Sequence, residues 1–144
     1  MSDSTGAAGT GRQLVGVVLV SHSAAVAASV AELATGLAGG GPTAPVAPAG
    51  GTMDGGLGTS SELISAAAAS VDRGVGVAVL TDLGSAVLTV KALLAEGDEL
   101  PDNTVLVDAP FVEGAVAAVV TASAGADLAA VQAAAAEAYS YRKQ

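Results

Sequence analysis

Residues 14–23 of the chain read LVGVVLVSHS, an apolar run that ends in a polar turn. The run Leu14–Val20 consists of valine, leucine and one glycine, which predicts a buried β-strand. An alanine-rich segment with helical spacing, Ala24–Ala38, follows it closely. His22, the single histidine of the chain, therefore lies where a strand gives way to a helix. In open α/β folds, ligands bind at this carboxyl edge of the sheet.

The same alternation of strand and helix continues along the chain. Further strands are predicted at Ala44–Ala47, Val75–Leu80 and Thr104–Val107, and further helices from Ser60 or Ser61 to about Val71, from Gly84 to about Glu96, over Val112–Ser123 and over Asp127–Tyr139. The second strand is expected at an edge of the sheet because Pro45 and Pro48 interrupt it. The pattern predicts an α/β fold with a doubly wound, mainly parallel sheet of four strands in the order 2-1-3-4 and helices on both faces. A fifth strand is left open.

Length and charge narrow the class of protein. A chain of 144 residues corresponds to one ordinary domain, expected over residues 14–144 after a polar, glycine-rich and disordered leader, residues 1–13. Five Lys and Arg residues against 14 Asp and Glu residues give a net charge of −9, so nucleic acid is not expected as a partner. The absence of cysteine excludes disulfides and thiolate chemistry. No membrane span and no secretion signal are predicted, and a cytoplasmic location is expected.

Two polar loops are expected to meet at the carboxyl edge of the predicted sheet. If the first and third strands are neighbours, the turn around His22 lies beside the loop Asp82–Ser85. A carboxylate that accepts the Nδ1–H of histidine fixes the tautomer and leaves the Nε2 lone pair exposed as a nucleophile. Gly84 and Ser85 begin a helix, where free N–H groups hold an anion. Together these groups suggest phosphoryl transfer through a phosphohistidine.

Each of these residues also has a purely structural explanation. Asp82 or Ser85 could cap the third helix, as such side chains commonly do. His22 could be incidental, and the glycine-rich segment Gly50–Gly58 reads as an ordinary surface loop. The sequence leaves these alternatives open.

Four segments, taken in order, resemble a known family. They are LVSHS at 19–23, AGG at 49–51 with GTS at 58–60, TDLGSA at 81–86 and APFVEGA at 109–115. This pattern resembles the phosphotransferase subunit of phosphoenolpyruvate-dependent dihydroxyacetone kinase, a branch of the mannose-type IIA (EIIA) family of the phosphotransferase system. The resemblance extends over roughly residues 14 to 139.

The resemblance implies roles for the residues at the sheet edge. His22 would accept a phosphoryl group from the phosphocarrier HPr, on Nε2, with Asp82 as the carboxylate that orients it and with Ser23, Gly84 and Ser85 as phosphate-binding residues. The group would then pass to ADP, held with Mg on the nucleotide-binding kinase subunit. The chain itself would bind no cofactor and no metal, and it would form a homodimer.

Two other functions remain open at this stage. One is a mannose-type IIA subunit of a sugar-transport system, and the other is a non-catalytic assembly module in which His22 plays no part. A flavin carrier is disfavoured because the chain has only one Phe, two Tyr and no Trp to stack on a flavin ring.

Overall fold

The computed structural model describes residues 12–144. Its elements are β1 (Gly16–Ser21), α1 (Ala24–Leu37), β2 (Val46–Gly50), α2 (Ser61–Val71), β3 (Val77–Thr81), α3 (Gly84–Glu96), β4 (Thr104–Leu106), α4 (Phe111–Ser123) and α5 (Leu128–Glu137), followed by a short 3-10 turn, Ala138–Ser140. Residues 1–11 of the predicted leader lie outside the described residues, and the predicted division into leader and domain stays a prediction.

The four strands form one parallel sheet in the order β2-β1-β3-β4. This confirms the predicted α/β class and strand order. In the central register Val17 lies beside Ala78 and Val20 lies beside Thr81, so β1 and β3 end at the same edge. The loops that follow these two strands are therefore neighbours in space.

Helices cover both faces of the sheet, as the unbroken apolar strands require. Successive residues of β1 point to opposite faces: Val17 and Leu19 pack against α1, α4 and α5, whereas Val18 and Val20 pack against α2 and α3. All six residues of β1 are buried. The strand that carries His22 at its end is consequently held on both sides.

The second strand differs from its prediction. It runs over Val46–Gly50 rather than over residues 44–47, and it passes through Pro48. It is an edge strand, as the prolines indicated. Pro48 is exposed there, and at an edge the missing N–H of proline does not cost a neighbouring strand a hydrogen bond. The prediction of its position was wrong because proline was taken to end the strand.

Strands β1 and β3 each begin two residues later and end one residue later than predicted. Ser21 and Thr81 are therefore the last residues of their strands, and they are the polar residues of 12–144 that are buried as whole residues. The later start of β3 follows from Gly76, whose φ of +112° belongs to the preceding turn.

Helix α1 faces the sheet with alanine rather than with its larger side chains. Its buried residues are Ala27, Val30, Ala31 and Ala34. The apolar residues that suggested the helix from their spacing are mostly outside, since Val26, Leu33 and Leu37 are exposed and only Val30 is buried. Small side chains on the inner face let the helix axis approach the sheet closely. In the part of the chain that the structure describes, no helix is both long and apolar enough to cross a membrane.

Candidate functional site

The turn that carries His22 is fixed by hydrogen bonds on its backbone. Ser23 is the N-cap of α1, and its Oγ accepts a hydrogen bond from the N–H of Val26 at 3.2 Å. The carbonyl of Ser21 accepts from the N–H of Gly51 at 3.2 Å, and the carbonyl of His22 accepts from the N–H of Gly58 at 2.9 Å. The histidine therefore protrudes from the sheet edge on a backbone with defined geometry.

Asp82 follows β3 directly, and its backbone ties the two strand ends together. Its N–H donates to the carbonyl of Val20 at 3.1 Å, which extends the β1–β3 pairing by one residue. Helix α3 begins two residues later, at Gly84, with Leu83 as N-cap and without a side-chain cap. The strand register thus places the Asp82 side chain beside the turn of His22.

The carboxylate of Asp82 accepts four hydrogen bonds, two on each oxygen. Oδ1 accepts from Nδ1–H of His22 at 2.9 Å and from the N–H of Leu83 at 2.6 Å. Oδ2 accepts from the hydroxyl of Ser21 at 2.8 Å and from the N–H of His22 at 3.0 Å. An ionised carboxylate offers acceptors only, so four donors around it fit the charged form.

The balance of these contacts lowers the pKa of Asp82. Burial raises the pKa, but hydrogen bonds from the backbone N–H groups of His22 and Leu83 and from the side chains of Ser21 and His22 outweigh it. An ionised Asp82 assigns the proton of the neutral imidazole to Nδ1. The lone pair of the ring is then on Nε2.

The Nε2 atom of His22 points at the beginning of α3, where it contacts Oγ of Ser85. The His22 side chain is 24% exposed and the Asp82 side chain 17% exposed, so the ring is accessible while its partner is more covered. The first N–H groups of a helix have no intrahelical partner. Nothing lies within 4 Å of the position that a Cβ on Gly84 would take, so no side chain packs against the start of α3 at that point.

The structure brings His22, Asp82, Gly84 and Ser85 together, as the sequence predicted. It also resolves the alternative for Asp82, since the carboxylate binds the imidazole and Leu83 occupies the N-cap position of α3. Ser23 lies next to the histidine, but its oxygen caps α1, a contact that the sequence analysis did not predict. A phosphate-binding role for Ser23, Gly84 and Ser85 stays a prediction.

Sequence reasoning missed Ser21 and the glycine pair that follows β2. A Cβ on Gly50 would lie 2.4 Å from the carbonyl oxygen of Ser23, and Gly51 has a φ of +73° and donates to the turn. Only glycine allows the edge strand to lie this close to the His22 turn. The signal was present in the Gly50-Gly51 pair, which was assigned to a surface loop.

The loop 51–58 borders the histidine and is internally ordered. Thr52 and Gly56 bond each other in both directions, with N–H to carbonyl at 2.9 Å and N–H to Oγ1 at 3.0 Å. Just after the loop, the hydroxyl of Thr59 lies 3.0 Å from that of Thr89, which donates to the carbonyl of Ser85. The loop is thereby attached to the same helix that faces Nε2.

Large apolar side chains are exposed around this edge of the sheet. Leu57 of the loop is 83% exposed, and Leu83, next to Asp82, is 66% exposed. Met53 and Leu88 are exposed as well, and Leu88 lies one helical turn from Gly84. We call these four side chains the apolar rim. Exposed apolar side chains are a common feature of surfaces that another protein covers.

A cavity of about 370 Å³ lies on the other side of Asp82, between α3 and β4. Its polar lining residues are Thr81, Asp82, Lys91, Asp108 and Tyr139. The hydroxyl of Tyr139 donates to Asp108 at 2.7 Å, and this hydrogen bond raises the pKa of Tyr139. Asp108, the carboxylate that follows β4, therefore bonds Tyr139 rather than His22.

Comparison with known proteins identifies relatives over most of the chain. Residues 16–132 match the EIIA-man family model, described as the PTS system fructose IIA component. Two curated relatives are from Listeria innocua serovar 6a. The phosphoryl donor subunit DhaM of PEP-dependent dihydroxyacetone kinase 2 is 35% identical over 74% of this chain and 85% of its own length. The corresponding subunit of kinase 1 is 34% identical over 71% of this chain and 77% of its own length.

Solved structures share the fold of this chain. The crystal structure of EF1359, a protein of unknown function, superimposes with a TM-score of 0.78 and 29% identity over 92% of this chain and 99% of that one. A sigma-54 interaction domain protein from Enterococcus faecalis shares the fold, with a TM-score of 0.57 and 19% identity over 84% of this chain and 87% of that one. The matched model and the two DhaM relatives each cover more than two thirds of the sequence, and the chain therefore belongs to the EIIA-man family of phosphotransferase-system components.

Proposed function

We propose that this chain is a phosphohistidine carrier, the phosphoryl donor subunit of a phosphoenolpyruvate-dependent dihydroxyacetone kinase. In this proposal His22 takes a phosphoryl group from phospho-HPr and passes it to ADP held with Mg on the nucleotide-binding kinase subunit. The observation that carries the proposal is the imidazole itself: Nδ1 is 2.9 Å from a carboxylate oxygen, and Nε2 faces the first turn of a helix.

The chemistry follows from the protons at His22. The Nε2 lone pair attacks phosphorus as the bond to the nitrogen of the donor histidine breaks, and that nitrogen keeps the electron pair. The ring of His22 keeps its Nδ1–H throughout, so the phosphorylated ring is cationic and lies against the anionic Asp82. In the second step an oxygen of the β-phosphate of ADP attacks the same phosphorus as the P–Nε2 bond breaks. The electron pair of that bond returns to Nε2, and the ring of His22 is neutral again.

The groups around Nε2 suit an anion without a lysine or arginine. Gly84 and Ser85 are the first residues of α3, so their N–H groups have no intrahelical acceptor, and these groups and the helix dipole would favour a phosphoryl group bound there. The hydroxyl of Ser23 can donate its proton to the phosphoryl group. The hydroxyl of Ser85 donates to the Nε2 lone pair in the resting site, and its proton becomes available to the phosphoryl group once Nε2 is bonded to phosphorus. Phosphoryl transfer passes through a loose transition state that needs mainly positioning and charge stabilisation, which such donors provide.

The apolar rim supports proteins, rather than small molecules, as the visitors to this site. A phosphoryl donor must bring its own reactive atom to within bonding distance of Nε2, and it would cover Leu57 and Leu83 when it does so. HPr and the ADP-binding kinase subunit would dock there in turn. A homodimer is part of the proposal.

The dihydroxyacetone branch is favoured over the sugar-transport branch because both curated relatives are subunits of dihydroxyacetone kinases. The test is to incubate the protein with phosphoenolpyruvate, enzyme I and HPr. We expect one acid-labile phosphate, which His22→Ala abolishes. Equal labelling of the wild type and of His22→Ala would refute the proposal that His22 carries the phosphoryl group and would favour the non-catalytic assembly module.

The acceptor separates the two phosphotransferase branches. Labelled protein, freed of donor, is mixed with an ADP-loaded kinase subunit or with a mannose-type sugar-transport IIB protein. We expect loss of the label only with the ADP-loaded subunit, together with stoichiometric formation of ATP. Discharge to the IIB protein alone would assign the chain to sugar transport.

A further inference from the structure

Ser21 carries a buried hydroxyl directly beneath the candidate site. It is the last residue of β1 and is 1% exposed. Its Oγ accepts a hydrogen bond from the N–H of Ser23 at 3.1 Å and lies 2.8 Å from Oδ2 of Asp82. A buried hydroxyl without hydrogen-bond partners destabilises a folded protein, so we expect both bonds of Ser21 to be kept in the folded state.

The directions of these hydrogen bonds are fixed by the available protons. A serine hydroxyl has one proton, and a carboxylate has none to give, so the Ser21 hydroxyl must donate to Asp82. The N–H of Ser23 supplies the bond that Oγ accepts. Ser21 thus connects the N-cap of α1 to the carboxylate through one defined orientation.

The two oxygens of Asp82 have different surroundings. Oδ2 is held by the Ser21 hydroxyl and by the backbone N–H of His22, whereas Oδ1 faces Nδ1 of His22 and the N–H of Leu83. Rotation of the carboxylate would break the two bonds to Oδ2. The contacts on Oδ2 therefore set the direction in which Oδ1 meets the imidazole.

We propose that Ser21 is a positioning residue, which holds Asp82 in the orientation that keeps the proton of His22 on Nδ1 and the lone pair on Nε2. The link to phosphoryl transfer rests on the proposed function, but the effect on the tautomer does not. Ser21 has no contact with Nε2. It acts only through Asp82.

The single histidine makes the tautomer directly measurable. In protein labelled with ¹⁵N-histidine, one pair of ring signals reports His22, and the spectra are recorded at an alkaline pH at which these signals no longer change with pH. We expect the wild type to be almost entirely the Nδ1–H form. In Ser21→Ala we expect the Nε2–H form to become several times more populated, because Asp82 loses a fixed donor.

Three further variants separate positioning from packing. Ser21→Thr keeps the hydroxyl and should restore the wild-type tautomer. Ser21→Cys fills the same volume with a weaker donor and should give an intermediate ratio, which also serves if Ser21→Ala does not fold. Ser65→Ala removes a buried hydroxyl that has no hydrogen-bond partner among residues 12–144, and it should leave the ratio unchanged.

The rate of phosphorylation by phospho-HPr provides the second readout. The Ser21 hydroxyl bonds a charged group, and such a hydrogen bond is stronger than one between neutral groups, so its loss in Ser21→Ala should slow phosphorylation roughly ten-fold. Ser65→Ala should be phosphorylated at nearly the wild-type rate. A folded Ser21→Ala, or Ser21→Cys, with the wild-type tautomer ratio would overturn the inference. If no donor phosphorylates the wild type, the proposed function fails, and the tautomer measurement still decides the role of Ser21.

Discussion

Replacing Asp82 by asparagine tests the chemistry of the site most directly, because it removes charge and keeps shape. The amide has one oxygen and one NH2 group where the carboxylate has two acceptors. Either the NH2 group faces the donors now bound by Oδ2, or it faces His22. In the second arrangement it donates to Nδ1, the ring proton moves to Nε2, and the nucleophilic lone pair is lost.

The size of the effect follows from the contacts. The bond between Nδ1 of His22 and Oδ1 of Asp82 is 2.9 Å long and charge-assisted. Such bonds contribute about 1.5–3 kcal/mol. If the transition state, with its cationic ring, loses this amount, the rate of phosphorylation falls roughly 10- to 150-fold, at about 1.36 kcal/mol per factor of ten.

The assay is rapid-quench phosphorylation by phospho-HPr, scored as acid-labile phosphate on the protein. Asp108→Asn is the matched control, because Asp108 follows β4 at the same sheet edge but bonds Tyr139 rather than His22. We expect the control to react at the wild-type rate. A folded Asp82→Asn that reacts within about three-fold of wild type would refute the role of the Asp82 charge in activating His22.

The other predictions concern pH, packing and docking. Burial of Asp82 is outweighed by hydrogen bonds that lower its pKa below the ordinary 3.8 in the folded state. Its contribution to the free energy of unfolding is therefore present above that pH and is lost as the pH falls through the lowered pKa. The free energies of unfolding of the wild type and of Asp82→Asn, measured in urea, should converge in acid, and a constant difference down to about pH 2 would contradict this. Gly50→Ala should lower the free energy of unfolding, measured in urea, by about 1–3 kcal/mol, because its Cβ would lie 2.4 Å from a backbone oxygen. Gly84→Ala, with open space at its Cβ, should not. Equal stabilities of the two variants would show that the close approach of β2 to the His22 turn does not require glycine. Leu57→Asp should slow phosphorylation by phospho-HPr roughly 5- to 30-fold if it removes about 1–2 kcal/mol of docking energy, while Leu37→Asp, exposed on the outer face of α1, should not; the same rate in both would remove the apolar rim from the docking surface.

The sequence predicted the parts of this molecule that depend on chain order and periodicity. The unbroken runs around Val17 and Val79 could only be central strands, and a parallel sheet then brings His22 and Asp82 to one edge. The helical spacing that included Leu33 identified α1 correctly, although Leu33 itself is exposed and the face against the sheet is mainly alanine. Alanine contributes little to such a hydrophobic pattern, but only small side chains fit where the helix lies close to the sheet.

The remaining features of the site depend on distances that no local pattern carries. The hydroxyl of Ser21 bonds a carboxylate 61 positions away, and whether Ser23 binds a phosphate or caps a helix depends on the path of the backbone. The need for glycine at position 50 comes from the carbonyl of Ser23, which belongs to a different strand–helix turn and becomes its neighbour only when the sheet has formed.

The close approach of helices to the sheet has a consequence for how this protein tolerates change. Its interior contacts are made by Ala27, Ala34 and Ala118, which are fully buried, and by Gly16 and Gly114, whose added methyl groups would lie 2.3 Å from the carbonyl oxygen of Val71 and 2.8 Å from Cβ of Ala109. At these alanine and glycine positions an added methyl group meets backbone or packed side chains. Random mutagenesis should therefore find its damaging substitutions there among enlargements, whereas at buried leucines such as Leu19 and Leu80 truncation leaves voids.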